Sequence, residues 1–89
     1  MAAVVVTLTD MAVGQRGAIA SVQAVGDLVD AATVQRLNEL GFLPGEPVLV
    51  VQRGPGGREP IAVQVGDTLF ALRWVEARCV DVQPEVRHV

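Results

Sequence analysis

From Gly17 to Ala24 the chain alternates, with Ala18, Ala20 and Val22 opposing Ile19, Ser21 and Gln23. A period of two predicts a strand with one face better filled than the other. Ahead of it, Leu8, Met11 and Val13 surround Asp10 without helical spacing, which predicts a short turn or strand leading in. The period then lengthens. In DLVDAATVQRLNELG, Ala31, Val34, Leu37 and Leu40 gather on one side and Gln35, Arg36 and Glu39 on the other, which predicts one short helix exposed on one face. Asp27 or Asp30 suits its N-terminus, where a carboxylate accepts a free backbone N–H and meets the positive end of the helix dipole.

Beyond Pro47 the period returns to two or becomes continuously β-branched. Strands are predicted over Val48 to Arg53, Ile61 to Val65, Thr68 to Arg73 and around Val80 and Val82. Gly66-Asp67 suits a two-residue hairpin, whereas GPGGREP, Gly54 to Pro60, predicts a longer, mobile tip. In TLFALR both faces are apolar: Leu69 and Ala71 on one, Phe70 and Leu72 on the other. One face fills the core, so the other packs on the helix, the N-terminal segment or a partner. WVEAR, Trp74 to Arg78, is too long for a tight hairpin and predicts a single helical turn. The expected architecture is mainly β: a small barrel of about five strands with one inserted α-helix and a helical turn before the last strand. Closure would remove the edges that such apolar strands otherwise expose. That arrangement resembles SH3-like barrels.

The segment LNELGFLPGEPVLVV joins helix to strand. Gly41 is placed to take a left-handed conformation just past the helix end, and Phe42 then falls where a Schellman motif makes its hydrophobic contact with Leu37. Pro44-Gly45 fits the central pair of a type II turn. Leu37, Gly41, Phe42, Pro44 and Gly45 thus form a structural corner, with Leu43 not engaged by it.

Composition narrows the function. Eighty-nine residues make one domain, with a core at about 8–83 and a tail at 84–89, and the apolar content of 51% with 19% charged residues is that of a globular protein. No apolar run is long enough to cross a bilayer, and no secretory signal is evident, so a soluble cytoplasmic protein is expected. The single cysteine, Cys79, sits in an apolar alternating run and fits a reducing compartment. The net charge is −3 and the seven arginines are scattered, which argues against nucleic acid as a partner. The absence of lysine excludes both a Walker A phosphate loop and Schiff-base chemistry.

Little chemistry is left. GPGG satisfies no phosphate-binding pattern, and the sole histidine, His88, has nothing in the sequence tying it to the sole serine, Ser21, so no catalytic residue is assigned. Glu85 and His88, three apart, could face one divalent ion on a helical tail, with Asp81 or another chain completing the set; a solvated tail is favoured over this. Trp74, after Arg73, suits a surface anchor for a partner or a plug at one end of the barrel.

RLNELGFLPG (Arg36 to Gly45), the valine strand after it, the loop from Pro55 to Pro60 and ALRWVEARCVDV (Ala71 to Val82) together resemble the FeoA family of ferrous iron transport proteins, and LTDMAVGQRGAI (Leu8 to Ile19) resembles that family's opening. The resemblance implies an SH3-like barrel that is not an enzyme. It also implies an accessory or regulatory partner, on the cytosolic side, of FeoB, a membrane ferrous iron permease with a GTP-binding domain. Leu43, Pro44, Arg73 and Trp74 are then the candidate partner-binding residues. No cofactor is required. The alternative is a regulatory protein that binds a divalent metal such as Fe, Zn or Mn directly, through a weak or subunit-shared site; a homodimer is compatible with the apolar strand faces. The chain departs from the family in the tip from Gly54 to Pro60, about one residue longer than the usual Pro-Leu-Gly-Asp-Pro. Related domains end repressors of the DtxR type, whose upstream helix-turn-helix domain has no room here.

Overall fold

The computed structural model describes residues 4–26 and 28–85. Strand β1 (Val6–Thr7) runs into a 3-10 turn at Leu8–Asp10, followed by β2 (Arg16–Val22), helix α1 (Leu28–Leu40) and β3 (Pro47–Arg53). A second 3-10 turn at Pro55–Gly57 leads to the hairpin β4 (Ile61–Val65) and β5 (Thr68–Leu72), then the short helix α2 (Trp74–Ala77) and β6 (Val80–Pro84). The strands form one antiparallel sheet in the order β1-β6-β2-β3-β4-β5. Six strands replace the expected five, because Val6 and Thr7 pair with Val82 and Asp81. The sheet does not close. β1 and β5 are its two edges, so the sheet is a barrel only in a loose sense. No helix among the described residues is long and apolar enough to cross a membrane.

Alternation places the core where the strand pattern predicts. Val48 and Val50 of β3, Ile61 and Val63 of β4, and Val80 and Val82 of β6 are buried in one core, together with Leu8 and Met11 of the lead-in. Bulges interrupt β2 between Ile19 and Ser21 and β3 between Val50 and Gln52, and the second leaves Val51 exposed within an otherwise apolar run. Gly17 lets β2 lie against β6: a Cβ there would sit 2.6 Å from both the Gln83 carbonyl oxygen and a Val82 methyl. β5 resolves its two apolar faces by turning Leu72 and Phe70 inward and leaving Leu69 and Ala71 exposed.

The corner folds as its residues predict. Gly41 has φ +107, and the Phe42 N–H donates to the Leu37 carbonyl (3.0 Å) while the Gly41 N–H donates to that of Asn38 (3.1 Å), the paired bonds of a Schellman motif. Leu37 and Phe42 are both buried, and the Phe42 ring lies 4.9 Å from that of Phe70, which packs the corner against β5. Gly45 has φ +91 and the Glu46 N–H donates to the Leu43 carbonyl at 3.1 Å, completing the turn around Pro44-Gly45.

The buried stripe of α1 differs from the expected one. Leu37 is buried and Val34 half-buried, but Ala31 and Leu40 are exposed and Asp30 takes an inner position. The Asp30 Oδ2 accepts from the N–H groups of Val25 (3.1 Å) and Gly26 (2.9 Å) in the chain preceding the helix. The other capping candidate, Asp27, lies outside the described residues. A carboxylate so well supplied with donors is stable inside, and the helix is rotated accordingly.

Candidate partner-binding surface

Two stretches of surface carry the residues singled out for partner binding. In the corner, Leu43 is 46% exposed and Pro44 is also exposed. Their backbone is held from both sides: the Gly45 N–H donates to the Ile19 carbonyl (2.7 Å) and the Ile19 N–H to the Glu46 carbonyl (2.9 Å). A large apolar side chain on a backbone fixed by β2 presents a preorganised contact, which lowers the ordering cost of binding.

The second stretch forms at the start of α2. Arg73 is exposed and Trp74 is half-buried, packed on the core edge. The Gly54–Pro60 tip, expected to be mobile, is tethered here. Arg58 lies over the Trp74 ring at 4.1 Å, and the Glu59 carboxylate accepts the Trp74 backbone N–H at 3.0 Å. At the base of the tip the Arg53 guanidinium donates to the carbonyls of Gly57, Thr9 and Met11, joining it to the lead-in. Trp74 packs against the edge of the core, and the Arg58 guanidinium covers part of its ring. Arg58 and Glu59 were missed in the sequence, because nothing local ties them to a tryptophan fifteen or so positions away.

An ionic clamp fixes α2 relative to α1. The Arg78 guanidinium donates to both Asp30 oxygens (3.1 and 3.2 Å), and Arg36 pairs with Glu76 at 2.8 Å while Glu76 also accepts the Arg73 N–H at 2.8 Å. The Arg78 hydrogen bond holds the Asp30 carboxyl below its usual value; burial opposes this, and the Val25 and Gly26 N–H groups assist. No hydrogen bond, ion pair or ring contact among the described residues joins Leu43 or Pro44 to Arg73 or Trp74, so the four candidates occupy two separate stretches.

Of the proposed metal ligands, Glu85 is exposed, with its N–H donated to the Arg16 carbonyl at 2.9 Å, and His88 lies outside the described residues. Asp81 is engaged by Ser21 (3.2 Å) and Gln23 (3.3 Å). Among the described residues no group of three His, Cys, Asp or Glu side chains could hold a metal ion. Cys79 is buried, and burial, reinforced by the nearby Asp30 charge, pushes its thiol up. Two open clefts, of about 550 and 270 Å³, share Arg16 and Glu85 in their lining, and neither brings together a nucleophile and a base.

A family model described as the FeoA domain matches residues 6–84. The chain belongs to the FeoA family. Among solved structures, FeoA of Stenotrophomonas maltophilia complexed with zinc is 42% identical, with a TM-score of 0.78 over 93% of this chain and 99% of that one. That FeoA is described as a procaryotic SH3 domain protein, with a suggested role as a ferrous iron transport activating factor. FeoA of Chlorobium tepidum is 28% identical, with a TM-score of 0.75 over 91% of this chain and 71% of that one. A manganese-dependent transcriptional repressor, 16% identical, shares the fold alone, with a TM-score of 0.77 over 96% of this chain and 44% of that one. A search of curated proteins gave no match. The open sheet with its two helices is thus the SH3-like fold of FeoA proteins, a family associated with ferrous iron transport.

Proposed function

We propose that this chain is an accessory protein of ferrous iron uptake that acts by binding the cytosolic side of a FeoB-type iron permease, without catalysing a reaction itself. The observation that carries this reading is the match to the FeoA domain over residues 6–84, with 42% identity to one FeoA over nearly its full length. The geometry supports it: the groups best suited to a partner, exposed Leu43, Pro44 and Arg73 with half-buried Trp74, sit on backbone already fixed by hydrogen bonds. On this reading the chain works in the cytoplasm. Calorimetric titration of the full chain into the FeoB cytosolic domain and into full-length FeoB tests the reading. Binding that weakens about tenfold or more in Leu43→Asp or Trp74→Ala is expected, as for an anchor residue. No heat and no co-sedimentation with either form would end the proposal.

A second reading is favoured by one observation, the zinc in the S. maltophilia FeoA complex. Here the chain would bind a divalent metal directly, with Glu85 and His88 as ligands and another copy or Asp81 completing the set. Titration with Zn2+ and Fe2+ of the wild type against Glu85→Ala/His88→Ala decides it; an unchanged affinity removes these ligands.

A further inference from the structure

The two edges of the sheet differ in kind. β1 is two residues long, whereas β5 presents five residues, Thr68–Leu72, with no charge, no proline and an uninterrupted register against β4. Sheet edges are ordinarily blunted by such devices, because an open row of N–H and C=O groups templates another strand. β4 and β5 are joined by two residues, Gly66 (φ +61) and Asp67, so Val65 and Thr68 close the hairpin as a hydrogen-bonded pair. Alternation then directs the backbone groups of Thr68, Phe70 and Leu72 toward β4 and those of Leu69 and Ala71 outward. No backbone partner for Leu69 or Ala71 on that outer side is found among the described residues, and both side chains are exposed.

We propose that β5 is the surface through which two copies of this chain pair, antiparallel about a twofold axis at Phe70. The register follows from two independent conditions. Outward-facing groups must meet outward-facing groups, which leaves Leu69 opposite Leu69, Ala71 opposite Ala71, or Leu69 opposite Ala71. Only the last also sets Asp67 of one copy opposite Arg73 of the other, twice by symmetry. Neither side chain has an ion-pair or hydrogen-bond partner among the described residues. An uncharged edge bracketed by opposite charges, self-complementary in one register, commits β5 to a second copy over an unrelated peptide. The proposal does not rest on the FeoB reading.

Sedimentation equilibrium of the full chain, from about 10 μM to about 1 mM, tests it. A monomer–dimer equilibrium is expected, with protection of the Leu69 and Ala71 amides against hydrogen exchange that rises with protein concentration. Asp67→Arg or Arg73→Asp alone should weaken the dimer about tenfold by placing like charges across the strands, and the two together should restore it. Circular dichroism shows whether each variant is folded; if either single variant is not, the amide protection of the wild type decides. A chain that stays monomeric to about 1 mM overturns the proposal, as does a dimer in which those amides stay unprotected or a folded double variant that fails to recover. A monomer whose β5 amides are protected only by an added extended peptide overturns it too.

Discussion

Gly41→Ala isolates one link between sequence and fold. The position combines φ +107 with empty surroundings: a Cβ built there meets no heavy atom within 4 Å. An alanine therefore clashes with nothing beyond its own backbone, and its whole effect is the conformation imposed on an L-residue. That strain is about 1–2 kcal/mol. Relief by moving φ toward the right-handed region would break the Phe42-to-Leu37 and Gly41-to-Asn38 hydrogen bonds and lift Phe42 from the core, so the strain has no inexpensive outlet. For a domain of this size each kcal/mol corresponds to about 4–8 °C, and a fall in Tm of roughly 4–16 °C is expected by scanning calorimetry. Urea denaturation should show a lower midpoint with an unchanged slope, because the surface exposed on unfolding is the same. D-Alanine at position 41, introduced by chemical synthesis, adds the same methyl with the opposite handedness. It should match or exceed wild-type stability by restricting the unfolded chain. A Tm unchanged in the L-alanine variant, or an equal loss for both enantiomers, would refute the assignment of Gly41 as a conformational requirement.

Three further outcomes follow from packing and charge. Gly17→Ala places a methyl 2.6 Å from the Gln83 carbonyl oxygen and a Val82 methyl, so β2 and β6 must separate, with a loss of about 1–3 kcal/mol measurable by urea denaturation. Arg58→Ala removes the cation over Trp74, the sole tryptophan; its fluorescence should shift while stability falls by only about 0.5–1 kcal/mol, and an unaltered spectrum would show that the contact does not persist in solution. The Asp30 carboxyl is held below its ordinary 3.8, so its contribution is complete above about pH 4 and is lost as pH falls through the depressed value. Asp30→Asn should therefore be less stable than wild type at pH 7, with the difference narrowing toward pH 2; a gap constant with pH would contradict the Arg78 pairing.

Local patterns carried most of the fold. Strand period, the Gly66-Asp67 hairpin, the helical turn at Trp74 and the corner from Leu37 to Gly45 all rest on dihedral preferences and hydrogen bonds within a few residues, which neighbours in sequence specify. Glycine and proline at set offsets suffice to end a helix and turn the chain. The residues forming α1 were legible for the same reason, whereas its orientation was not. Asp30 occupies the inner stripe because Arg78, 48 positions later, supplies its charge partner. No periodicity records such a pairing.

The site divides along the same line. That Leu43 lies outside the needs of its turn could be read from the turn's chemistry, and its exposure agrees. Composition alone removed lysine-dependent chemistry, whereas the binding role was read from the resemblance to FeoA proteins. Tertiary structure decided that Arg58 and Glu59 gather at Trp74, that the sheet stays open, and that among the described residues β5 pairs on one side only, between Asp67 and Arg73. The physical reason is one of range. Backbone geometry is set over three to five residues, whereas ion pairs, ring contacts and sheet closure depend on segments brought together only when the hydrophobic core collapses around them.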